Sequence, residues 1–94
     1  MNTLHFEWDE AKASANQKKH GVSFEEAKSV FLDDCARLIA DPDHSMAEER
    51  FLLLGYSSNL KILVVCHCYR AEGRTIRIIS ARKATRGEAA MYER

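Results

Sequence analysis

Basic residues crowd one short stretch, IRIISARKATRGE, from Ile76 to Glu88. Arg77 interrupts an apolar strand pattern, and Arg82, Lys83 and Arg86 follow where that strand should give way to a helix. An anion placed there meets guanidinium forks, an ammonium group and the free N–H groups of a helix start. That combination suits a phosphate. Arg50, Arg70 and Arg74 extend the cationic surface along the sheet, and Tyr69 and Tyr92 are placed either to stack on bases or to pack. A solvated charged face is the competing reading.

Two other groups invite chemistry. Cys66-His67-Cys68 looks metal-binding, but in a strand the cysteines face one side and the histidine the other. Zinc ligands usually come as loop-borne pairs, so buried thiols are the better reading and no metal is expected. His67 shares its face with Leu63, Val65 and Tyr69; it is either a satisfied sheet histidine or a general base. His20, before Gly21, suits a helix end, and His5 and His44 have no partners in pattern. A G-x-S-x-G elbow and a glycine-rich phosphate loop are both absent.

A phosphate groove without a metal cluster points to RNA cleavage by its own 2′-OH, which attacks the adjacent phosphate. A protein then has to position the strand, move protons and stabilise growing negative charge. Arginine and lysine suit the last task; histidine or tyrosine suits the protons.

The chain has 94 residues, a length suited to one domain spanning 1–94, and 46% of it is hydrophobic against 30% charged. No apolar run is long enough for a bilayer, and MNTLHFEWDE lacks the pattern of a secretory signal. Cys35, Cys66 and Cys68 read as reduced thiols, so a cytoplasmic location is expected. The net charge is zero, but residues 1–48 carry ten acids and five bases and residues 49–94 four and nine. One folded domain with that split can present a cationic face.

The elements that must position these groups follow from pattern. LHFEW reads as a strand; Asp9 caps a helix that Gly21 ends. Ser23 and Glu26 form a capping box for a second helix, with Phe24, Ala27, Val30 and Phe31 on one face. ARLIA is a strand and DPDHSMAEE a polar loop. Residues 50–56, 61–69 and 75–81 are strands joined by hairpins. If Ile76 and Ile78 face the helices, Ser80 turns inward too. Thr85 and Glu88 open a final helix. The order β-α-α-β-β-β-β-α predicts an α+β fold, helices packed on a largely antiparallel sheet.

FEWDEAKASANQKKHGVSFEEAKSVFLD, then DPDH, EER and IRIISARKA, with a glutamate and YE near the end, resembles the BrnT family of bacterial toxins over nearly the full chain. The resemblance implies a RelE-like fold and a type II toxin–antitoxin ribonuclease that inhibits translation. It also implies a BrnA-like antitoxin of ribbon-helix-helix type, with promoter DNA bound only by the complex. RelE-type toxins use clustered basic residues and, in some, a C-terminal tyrosine; Arg82, Lys83 and Tyr92 match by type and order. Trp8, in the family's FEWD, joins them as a candidate.

The expectation is a metal- and cofactor-independent RNA endonuclease. Arg82 and Lys83 stabilise the phosphate, and His67 and Tyr92 move protons or stack. Arg50, Arg70, Arg77, Arg86 and Trp8 contact RNA. The alternative is a non-catalytic module whose cationic face docks an acidic partner or nucleic acid.

Overall fold

Local signals build the two N-terminal helices. The computed structural model describes residues 4–41 and 49–92; most of the loop DPDHSMAEE, with Pro42 and His44, lies outside them. After strand β1 (His5–Glu7), the Asp9 carboxylate accepts the N–H groups of Ala11 and Lys12 and starts α1 (Glu10–His20). Gly21, at φ 71°, ends it, where only glycine adopts the left-handed region without strain. Ser23 Oγ accepts the Glu26 N–H to start α2 (Phe24–Ser29), and a 3-10 turn, Val30–Leu32, extends it.

The Ser23 box is only half made. The Glu26 carboxylate instead accepts a 2.7 Å hydrogen bond from the Ser57 hydroxyl, tying α2 to the loop after β3. A tertiary partner has won over the local one.

Strands β2 (Arg37–Ala40), β3 (Phe51–Tyr56), β4 (Ile62–Arg70) and β5 (Thr75–Lys83) run antiparallel to one another, and α3 (Arg86–Tyr92) follows. The sheet order is β1-β5-β4-β3-β2, and β1 lies parallel to β5. This is the expected α+β arrangement with the expected element order; the parallel edge makes the sheet mixed.

The helices α1 and α2 cover one face of the sheet. Val22, Phe24, Ala27 and Val30 bury against Leu53, Leu63, Val65, Ile78 and Ala81 there. Helix α3 crosses the other face, from Arg82 on β5 to Tyr56 on β3.

The register of β5 departs from simple alternation. His67 pairs with Ile78 but Cys66 pairs with Ser80, so Ile79 is an extra residue in a β-bulge. Ala81, not Ser80, therefore turns into the helix-covered core, and Ser80 joins Cys66 on the opposite face. Beyond Arg77, β5 has no strand outside it. The Asn16 side chain fills that role: its amide accepts the Ala81 N–H at 3.1 Å and donates to the Ala81 carbonyl at 2.9 Å. A second bond, to the Val22 carbonyl, fixes the amide in its buried site.

Candidate functional site

The bulge decides which cation faces which way. The strand does not end at Ala81 as its sequence suggested; it continues through Lys83, pairing Arg82 with Val64 and Lys83 with Leu63. Consecutive strand residues point to opposite faces. Lys83 therefore lies on the helix side, exposed and without an ion pair among the described residues, while Arg82 lies beneath α3. The structure separates the two residues that the sequence grouped.

It assembles others. Cross-strand partners share a face, so Arg77 (opposite Cys68), Ser80 (opposite Cys66) and Arg82 (opposite Val64) stand together. Alternation adds Arg70 from β4 and Arg50, just before β3. Arg37, opposite Leu54, joins the same face from β2. Sequence reasoning missed Arg37 because it sits in the acidic half, and only the sheet order brings it there.

Each arginine has its own setting. Arg82 donates from both terminal nitrogens to the two oxygens of Glu88, at 2.8 and 2.9 Å. Glu88 Oε1 also accepts the Thr85 N–H, and Thr85 Oγ1 accepts the Glu88 N–H, completing the expected capping box. The helix-start N–H groups expected to be free for an anion are thus partly used by the cap. The Arg82 hydrogen bonds, set against partial burial, hold the Glu88 carboxyl down at about 2. Arg77 donates to Glu7 at 2.9 Å, and the Arg70 Nε lies 3.7 Å from the same oxygen. Arg86 is exposed in the first turn of α3. Arg50 is half-buried near Cys66 and Asp41; burial first, then Asp41, pushes the Cys66 thiol up to about 11.

Of the proton-transfer candidates, His67 lies on the opposite face from this row, and Tyr92 lies on the same face at the far end of α3. His67 has no exposed surface and sits on the helix side, with the rings of Phe31, Tyr69 and Phe51 centred 4.9, 5.3 and 6.2 Å away. Its Nδ1 is 3.1 Å from the Val65 carbonyl, which can only accept, so Nδ1 carries the proton and Nε2 accepts from the Tyr69 hydroxyl. Burial holds its pKa below 6.5. Cys66 and Cys68 face away from it, so the three do not converge on one point.

Tyr92 packs edge-on against Tyr56 and donates to Asp33 Oδ2 at 2.6 Å. That bond pushes its hydroxyl up to about 12, so it is protonated at neutral pH. Asp33 also accepts the backbone N–H groups of Tyr56 and Cys35. Burial opposes its ionisation, but the bonds from Tyr92 and those two amides outweigh it and hold the carboxyl below its usual range. Gly55 makes room: an added Cβ would lie 2.9 Å from both Asp33 Oδ2 and Ala36 Cβ. Trp8 is on the other side of the sheet, edge-on to Phe24 and donating to Glu10 at 3.1 Å, away from the arginines.

Helix α3 is therefore held at both ends over a face carrying five sheet arginines. A family model described as "Ribonuclease toxin, BrnT, of type II toxin-antitoxin system" matches residues 8–88. The chain belongs to the BrnT family. The crystal structure of the Brucella abortus ribonuclease toxin BrnT superposes with a TM-score of 0.66 at 24% identity, covering 89% of this chain and all of that one. At that identity the likeness shows the fold alone. No curated protein matches the chain. Membership of the BrnT family makes it a ribonuclease toxin of a type II system, and so implies an antitoxin partner. Among the described residues, no helix is long and apolar enough to cross a membrane.

Proposed function

We propose that this chain cleaves RNA without a metal ion, by guiding the 2′-OH onto the adjacent phosphate along the arginine face. The observation that carries the reading is the register that sets Arg50, Arg70, Arg77 and Arg82 on one side of the sheet, with Arg86 on the helix above. Arginine forks match phosphate oxygens, and donors fixed before the reaction stabilise developing charge most effectively. Arg82 is fixed in this sense. Glu88 sets the plane of its guanidinium and the Lys83 carbonyl accepts a further Nη1 hydrogen at 3.3 Å, leaving Nε–H and one Nη2 hydrogen for the phosphate in the transition state.

In this reading the 2′-oxygen bonds to phosphorus as the P–O5′ bond breaks, the 2′-OH proton passes to solvent water, and Tyr92, near the C-terminal end of α3, donates its proton to the departing 5′-oxygen and is reprotonated from water. Lys83 contacts RNA from around the strand edge. His67 acts as a packing residue. A BrnA-like antitoxin of ribbon-helix-helix type neutralises the toxin in the cytoplasm, and promoter DNA is bound by the complex. The support for that part is family membership.

One observation favours the alternative, a module that binds RNA without cutting it: Arg82 is already matched by Glu88. Purified, antitoxin-free protein and Arg82→Lys, each mixed with a defined RNA in excess EDTA, separate the readings. Cleavage by the wild type, leaving 2′,3′-cyclic phosphate ends and strongly slowed in the variant, is the expected result. Equal cutting by both moves the site away from Arg82. Binding without cutting supports the module.

A further inference from the structure

We propose that Glu7 is an internal competitor of RNA, occupying the Arg70–Arg77 pair where a backbone phosphodiester docks. This rests on the arginine face being the RNA-binding face. The parallel pairing of β1 with β5 sets Glu7 directly beside Arg77, and alternation aims both, with Arg70, to the same side. One carboxylate oxygen, Oε2, takes the 2.9 Å bond from Arg77 and lies 3.7 Å from Arg70 Nε. A carboxylate and a phosphodiester offer a guanidinium the same kind of anionic oxygen pair.

Charge and exposure make the exchange feasible. Glu7 brings one negative charge to the guanidinium groups of Arg77 and Arg70, and a phosphodiester that displaces it brings the same charge to the same two groups. The side chains of Arg77, Glu7 and Arg70 are 30%, 42% and 51% exposed. Solvent reaches all three, and ion pairs this open are weak. Among the described residues, the Glu7 carboxylate has no other bonded partner, so nothing else holds it in place. Glu88 differs: it grips Arg82 through two bonds and caps α3 as well. Glu7 is the exchangeable carboxylate and Glu88 the fixed one.

The test is fluorescence anisotropy with a short 2′-O-methyl RNA, which 2′-OH chemistry cannot cut, over a salt series. Glu7→Gln should tighten binding several-fold at low salt, a gain that shrinks as added salt screens the removed charge. Adding Arg70→Gln and Arg77→Gln should remove the gain. Glu7→Thr, which suits a strand, replaces Glu7→Gln if that variant is unfolded by circular dichroism. Normal wild-type binding with an unchanged or weaker Glu7 variant overturns the inference and leaves the RNA-binding reading intact. Failure of every protein to bind overturns both.

Discussion

Glu88 meets Arg82 fork to fork, through two bonds of 2.8 and 2.9 Å, and so joins the end of β5 to the first turn of α3. The same carboxylate caps the helix, which makes one side chain responsible for both the arginine's orientation and the helix start.

Acid should undo this joint. The Glu88 carboxyl is held at about 2 in the folded chain against an ordinary 4.5, so the unfolded state takes up the proton first. The stabilisation is present above pH 4.5 and is lost as pH falls from there towards 2. Glu88→Gln should cost about 1–2 kcal/mol at neutral pH, after allowing for solvent screening, and should flatten that acid limb. Urea unfolding of both proteins across the acid range measures this. An unchanged acid limb in the variant contradicts it.

A second pH effect should come from His67. Its folded pKa is depressed, so stability is full above pH 6.5 and declines as pH falls through 6.5 towards the lower folded value. His67→Phe keeps a ring among Phe31, Phe51 and Tyr69 and removes the titration. The variant's stability should be flatter over that window, whatever its level at neutral pH.

Gly55→Ala should act on Tyr92 from a distance. The new methyl crowds Asp33 and Ala36, and overpacking of this kind costs about 1–3 kcal/mol. If the damage passes through Asp33, Tyr92→Phe should cost less in the Gly55→Ala background than in the wild type. Additive losses in the double-mutant cycle would show that the two positions act independently.

Asn16→Ala should be more damaging than an ordinary helix substitution. It leaves the N–H and carbonyl of Ala81 and the carbonyl of Val22 without their partner. A loss of at least about 2 kcal/mol is expected. Hydrogen exchange at the Ala81 amide should rise more than at Val65, its inter-strand neighbour.

These contacts also mark what the sequence could show. Asp9, Ser23, Gly21 and the Thr85–Glu88 box act within a few residues of themselves, so their roles were legible in sequence. The alternation in β3 and β4 was legible for the same reason. The bulge at Ile79 was not, because it exists only in the pairing of β5 with β4. It reverses the alternation beyond it, moving Arg82 to the Arg77 face and Lys83 away from it. Glu26 and Asn16 were misread or overlooked because their partners, Ser57 and Ala81, lie 31 and 65 residues away. The row of arginines was visible as composition, but its geometry was not.

The parallel edge of the sheet has a consequence for synthesis. β1 is synthesised before its partner residues on β5, which follow 70 positions later in the chain. Until β5 emerges, Glu7 has no Arg77 beside it and the arginine row is missing two members. The cationic face is therefore completed only when β5 joins the sheet, so β1 waits through 70 residues of synthesis for the strand that gives Glu7 its partner.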